Sequence, residues 1–514
     1  MSGYLRRLAT TGAAYTAASV FSKLIAVVLL PLYTRYLTPA DYGAAEVMFA
    51  AVVSASIVVR LGMIEALLRF YYKDDEDPSR VVATSFAAVF WVATIAALIA
   101  LPFAEPLSKA LLGSHHPAPG LARIAIGGLW ALTMFEYLLT LFRLEERARA
   151  YFVTTMLSVL AAIGLTVVLV VGAGEGARGL LLGSYASGAA FVLGLIWVHR
   201  RRLSLRVERP LLGRLVRFGL PTMPAELSLY MLNFVDRLII VRTVGLPAAG
   251  LYSLAAKFAQ GVNVLARGFQ LAWPPLAYSI RDDGEARKVY AAVVTFFVAA
   301  MGFVVAGMWL FSRWIVRLLT TPEFYGSYKA IGLIATGAAL YALYMVLVVV
   351  LGRTGRTGFN FPATGAALGA NIALNLILVP PLGIVGAGIA LVASYLVVLA
   401  LMYGFTQRLF PVPYEWARLA RATVGATAIV LAGELLLPTA GAAGLLLRIA
   451  LWLAYPMLLL ATGFFTADER GWLAGLRDPV ELFSRLRALR PAPGVDGAIP
   501  EAMEAELIDE DSRL

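Results

Sequence analysis

Seven charged residues stand inside long apolar runs, where a charge is tolerated only if it meets another charge, a polar interior or a ligand. They are the cations Lys23, Arg60, Arg237, Lys257 and Arg267 and the carboxylates Glu136 and Glu434. On insertion scales an Arg or Lys at the centre of a lipid-facing helix costs roughly 2.5–3.5 kcal/mol, so these side chains are expected to point inward. The five cations suit charge-assisted hydrogen bonds to an anion such as a phosphate, and they form the candidate substrate-binding set. Glu136 and Glu434 are candidates for coupling to a proton or sodium ion, and serve equally well as structural partners of a cation or hydroxyl.

Catalytic chemistry finds little to work with. With no cysteine there is neither a thiol nucleophile nor a thiolate metal site. His115 and His116 lie in a polar loop with Pro117 and Pro119, but the sequence offers no third metal ligand beside them. No Gly-rich phosphate loop and no carboxylate cluster with metal-ligand spacing occurs, so no cofactor, metal or enzymatic activity is expected. Two charge pairs have local explanations. Glu65 and Arg69 stand four apart, which predicts an intrahelical ion pair, and Asp236 can neutralise part of its neighbour Arg237.

The elements that carry these residues are membrane helices. Of 514 residues 60% are hydrophobic and 15% charged, against about 25% charged in soluble domains. The mean hydropathy is +0.79. Apolar runs recur from Thr10 to Thr466, too long for barrel strands, which predicts an all-α polytopic fold. Fourteen helices are expected near 10–36, 42–69, 80–102, 120–142, 150–172, 178–199, 218–244, 248–277, 287–312, 327–351, 359–379, 384–407, 415–437 and 443–465. The first is too long for a signal-peptide core. Most of the 43 Lys and Arg fall in segments that share one side if both termini are cytoplasmic. The segment from Phe103 to Gly120 is the longest expected outer connection.

The chain divides at its largest basic cluster, Arg200-Arg201-Arg202 through Arg217. Such a cluster anchors to anionic lipid, and Leu211 to Phe218 patterns as an in-plane amphipathic helix. On either side the sequence repeats itself. Pro39-Ala40-Asp41-Tyr42-Gly43 matches Pro247-Ala248-Ala249-Gly250, Arg143 and Arg147 match Arg353 and Arg356, and Ser184-Tyr185 matches Ser394-Tyr395. The organisation expected is a six-helix lobe at 1–205, a basic linker at 206–217, a parallel six-helix lobe at 218–408 and two extra helices at 409–466. A cytoplasmic amphipathic segment and a disordered acidic tail follow at 467–514.

Several of these residues also carry a resemblance. Pro31-Leu32-Tyr33-Thr34-Arg35-Tyr36-Leu37-Thr38-Pro39 with Tyr42-Gly43 is one carrier, and Leu61-Gly62 with Arg69 another. Gly219-Leu220-Pro221 followed by Asp236-Arg237, Gly250-Leu251-Tyr252 with Lys257, and Asn371, Asn375, Gly383 and Gly386-Ala387-Gly388 complete it. In order and spacing they resemble the polysaccharide transporters that flip lipid-linked oligosaccharides, in the superfamily that also holds multidrug exporters and lipid II flippases. The resemblance implies two lobes around a cavity lined by helices one, two, seven and eight, working by alternating access in a bacterial cytoplasmic membrane. Its implied cargo is undecaprenyl pyrophosphate bearing an oligosaccharide, with membrane lipids, a polysaccharide polymerase and export machinery as partners and no nucleic acid. A desolvated diphosphate cannot cross hydrocarbon unaided, and a cationic cavity answers that problem. A lipid II flippase is the first alternative. A drug-cation exporter would want a carboxylate-rich cavity, a glycan polymerase or ligase a large outer loop, and a transport-inactive scaffold neither.

Overall fold

The computed structural model describes residues 25, 27–72, 77–114, 118–232, 234–467 and 469–470, the side chains of 225, 229, 271, 272 and 357 aside. His115, His116, most of the expected first helix with Lys23, and the tail beyond residue 470 lie outside these residues. Among the described residues the regular structure is helical throughout, with no strand. Eleven helices among the described residues are long and apolar enough to cross a membrane. The chain is an all-α polytopic membrane protein.

After α1 (Leu30–Tyr36) comes α2 (Pro39–Arg60), whose start is written into the sequence. Thr38 and Asp41 form a capping box and Pro39 occupies the first turn. Its end is not. The second expected helix, 42–69, is broken: Leu61 and Gly62 both turn left-handed, at φ 51° and 66°, and α3 (Met63–Phe70) begins anew. The cause is tertiary, because the backbone of Gly62 lies directly against that of Gly219 with no room for a Cβ on either. Arg60 therefore closes a helix instead of sitting mid-span.

The chain continues through α4 (Pro78–Ala100), α5 (Ala104–Leu112), α6 (Pro119–Leu144), α7 (Ala148–Val167) and α8 (Gly176–His199). The expected outer loop after residue 103 is thus partly the short helix α5, which buries Ala104, Ser108 and Leu112. The linker forms α9 (Arg209–Gly219) as its pattern predicts, burying Leu211 and Leu215 and exposing Arg214 and Arg217. It packs beneath α3 and α4.

The expected seventh helix, 218–244, is two pieces, α10 (Met223–Met231) and α11 (Val235–Thr243). The eighth, α12 (Leu246–Ser279), runs 34 residues and carries Lys257 and Arg267. Then follow α13 (Asp283–Leu319), α14 (Tyr328–Arg353), α15 (Asn360–Leu382), α16 (Ile384–Leu409), α17 (Trp416–Leu436) and α18 (Gly441–Ala461).

Helices before the linker pack on one another, α6 on α2, α4 and α8 and α7 on α8; those after it do the same, α14 on α12 and α16 and α15 on α16. Two glycines 209 residues apart have like surroundings. Gly128 yields its side-chain space to the Tyr185 ring, and Gly337 to Leu391 and Tyr395. The two helix sets meet mainly where α2 crosses α12. Helices α17 and α18 attach through α13, around a separate small core of Ala306, Leu310, Ala422, Ile429, Tyr455 and Leu459.

Candidate functional site

The seam between the helix sets is closed at both ends of α2. At the Pro39 end, Gly43 and Gly250 meet backbone to backbone, Thr321 Oγ1 donates to the Thr34 carbonyl at 2.9 Å, and Tyr42 meets the Phe324 ring edge-on. At the Arg60 end, Gly62 meets Gly219, and the Arg69 guanidinium lies over the Phe218 ring at 4.6 Å. The expected Glu65–Arg69 ion pair does not form, since the ring across the seam takes the guanidinium instead.

Between these ends the seam is charged. Arg60 Nη1 pairs with Glu136 Oε2 of α6 at 3.1 Å, and its Nη2 with Glu226 Oε1 of α10 at 3.0 Å. Its Nε donates to the Ser56 carbonyl at 3.3 Å, the negative end of its own helix. The cation is thus held by one acid from its own helix set and one from the other. Further along α2, Glu46 Oε1 pairs with Lys257 Nζ of α12 at 3.1 Å. The two crossings are reciprocal, with the cation supplied from before the linker in one and from after it in the other. They are also separate. Residues 46 and 60 share one helix, so they stand about 21 Å apart at 1.5 Å rise per residue.

Near the second pair, Arg237 Nε donates to Ser253 Oγ at 3.0 Å. Its neighbour Asp236 is fully buried and accepts from Tyr252 Oη at 2.7 Å and Asn375 Nδ2 at 2.8 Å. Beside it Asn371 Oδ1 and Nδ2 and Asn375 Oδ1 are buried without a hydrogen-bond partner. Of the described residues, the two amide oxygens, Asn371 Oδ1 and Asn375 Oδ1, beside a buried carboxylate are suited to hold a proton or a monovalent cation; no group of three or more His, Cys, Asp or Glu is placed to hold a metal. Arg267 is exposed on α12, close enough to Tyr341 for the two to interact electrostatically.

Glu434 lies elsewhere, in the extra helices. Its Oε2 takes Arg313 Nη1 of α13 at 2.7 Å and its Oε1 takes Arg448 Nη1 of α18 at 2.6 Å. Above it opens an apolar cavity of about 1090 Å³ between α13, α14, α16 and α17, lined by Val298, Met301, Leu343, Leu399 and Val430 among others.

The sequence reading takes the interior charge as mostly positive, and the structure corrects this: each of Arg60 and Lys257 is matched by acid. Glu46 and Glu226 were missed. Glu226 sits in the first turn of its helix, where an acid is ordinary because it favours the helix dipole, and Glu46 lies about two turns into α2. The signal that marked Glu136, a carboxylate in an apolar run, was present at both.

Known proteins resemble the chain in sequence and in shape. A family model described as "Polysaccharide biosynthesis protein" matches residues 32–329, more than half the chain. The succinoglycan biosynthesis transport protein ExoT of Rhizobium meliloti (strain 1021) is 27% identical over 321 residues, 60% of this chain and 61% of that protein. The match therefore spans less than two thirds of that relative's length. Among solved structures, the lipid II flippase MurJ in an inward closed conformation superposes with a TM-score of 0.68 at 14% identity, over 86% of this chain and 97% of that one. An inward-facing multidrug resistance MATE family transporter of the MOP superfamily gives 0.62 at 17%, over 74% and 94%. The chain belongs to the polysaccharide biosynthesis protein family and has the fold of the MOP-superfamily transporters.

Proposed function

We propose that the chain is a flippase that carries undecaprenyl-pyrophosphate-linked oligosaccharide units from the inner to the outer leaflet of the bacterial cytoplasmic membrane for surface polysaccharide synthesis. It moves its cargo and does not transform it. The observation that carries this reading is the placement of Arg60 on α2 and Lys257 on α12, each held across the two helix sets by a carboxylate. Cations so placed can exchange a carboxylate for a diphosphate as the sets rock apart. The apolar cavity beside α17 gives an isoprenoid tail a place outside water. Coupling to a proton or sodium gradient runs through Asp236, Asn371 and Asn375 in this reading, because both oxygens of Glu434 are committed to arginines.

The test is depletion of the protein in its own cell, with lipid extraction and leaflet-specific labelling. Oligosaccharide diphosphate lipid should accumulate on the inner leaflet, and accumulation of lipid II in its place would move the assignment to peptidoglycan precursor. One observation favours a second reading, export of cationic compounds: Glu46, Glu136 and Glu226 give the seam more acid than an anion carrier needs. That reading predicts drug sensitivity on depletion without any lipid intermediate.

A further inference from the structure

Glu46 and Glu226 have no evident place in a site built to hold an anion. They repel it, and they occupy the cations it would use. The bilayer around such a site is full of singly charged phosphate headgroups, and a bare Arg or Lys would take any of them. Resting on the flippase reading, we infer that Glu226 and Glu46 set a charge threshold at two successive stations, Arg60 and Lys257, so that a diphosphate displaces them and a monoanionic phosphate does not.

At Arg60 the geometry supports displacement at the acid and retention at the cation. Arg60 is only 12% exposed and stays tethered by Glu136 and the Ser56 carbonyl, while Glu226 is 43% exposed and comes from the opposite helix set. The carboxylate is thus the partner free to swing away. A headgroup with one negative charge replaces Glu226 with no electrostatic gain and must also be desolvated. A diphosphate brings more than one charge and more acceptor oxygens to the same guanidinium fork. At Lys257, about 21 Å further along α2, the freer partner is the cation: Lys257 is 29% exposed and Glu46 10%, so there a diphosphate draws the lysine away from its acid. One diphosphate cannot span both stations, so it passes from one to the other and meets the threshold twice. Each displacement also releases an ion pair that joins the helix sets.

The experiment uses the full-length protein in neutral lipid nanodiscs, with inorganic pyrophosphate and inorganic phosphate as probes and calorimetric titration as readout. Wild type should bind pyrophosphate well and phosphate poorly. Glu226→Gln should tighten phosphate about tenfold while changing pyrophosphate less, collapsing the ratio between them. Glu226→Asp should keep the ratio. In vesicles, Glu46→Gln combined with Glu226→Gln should move fluorescent phosphatidylglycerol between leaflets, which wild type should not. Had Glu226 a purely structural role, Glu226→Gln would weaken both probes alike and leave the ratio unchanged, and that result overturns the threshold. If neither wild type nor any variant binds pyrophosphate, the anionic-cargo reading itself falls. Pyrophosphate binding lost in Arg60→Ala with an unchanged ratio in Glu226→Gln removes the threshold and leaves the flippase reading standing.

Discussion

The arginine–glutamate clusters around Glu434 and around Arg60 differ in what surrounds the charges. Around Glu434, Arg448 is fully buried and also donates to the carbonyls of Pro438, Leu310 and Leu437, with Trp314 beneath its guanidinium. Arg313 closes the other side over the Tyr328 ring. These contacts staple α13, α17 and α18 into one unit. Around Arg60 the acids come from two helix sets, and Glu226 is open, at 43% against 24% for Glu434, while the Glu136 oxygen that faces Arg60 is buried. A saturated cluster within one unit holds a fold, whereas an open one that straddles a seam can exchange partners.

The sharpest way to break this comparison is to remove each arginine in turn. Arg448→Ala should destabilise by about 3–5 kcal/mol, since it strands buried carbonyls and a carboxylate; lower accumulation and a lower melting temperature would register it. Adding Glu434→Gln should recover part of that loss. Arg60→Ala should lower accumulation less than Arg448→Ala does, because Glu226 is exposed even though Glu136 Oε2 is buried, and should cut transport roughly ten- to hundredfold, the worth of lost charge-assisted bonds. Arg60→Lys should keep part of the activity, retaining the charge without the fork. Similar melting losses in both alanine variants would erase the distinction. Next in size, Gly43→Ala forces apart two backbones in contact and should cost about 1–3 kcal/mol of seam closure. A cross-link between Thr34→Cys and Thr321→Cys, placed in a chain without other cysteines, should then form more slowly. The smallest effect belongs to Arg69→Ala, within about 1 kcal/mol, as a single cation–π contact over Phe218 would imply.

The fold class and the amphipathic linker were legible because composition and periodicity report directly on what lipid permits. Arg60 was legible for the same reason: a guanidinium in an apolar run requires a partner. Its actual partners were not, since Glu136 and Glu226 lie 76 and 166 residues away and only the folded chain brings them to it. The break at Leu61–Gly62 was hidden too, because a glycine within a helical pattern signals nothing until another backbone is seen to need its space. Lys23 lies outside the described residues, and its expected role rests on the sequence alone.

The crossing at the Pro39 end has a symmetry of its own. The space a side chain would need at Gly43 is taken by Leu246 O and Gly250, and that at Gly250 by Pro39 O and Gly43. Residues 39 and 246, like 43 and 250, stand 207 apart. One patch therefore meets its own copy, the isologous arrangement of a twofold homodimer, although a single chain supplies both copies. The halves are then self-complementary partners that the linker keeps at high effective concentration. Residues 1–205 and 206–514, expressed as separate polypeptides in one membrane, should find each other by this surface.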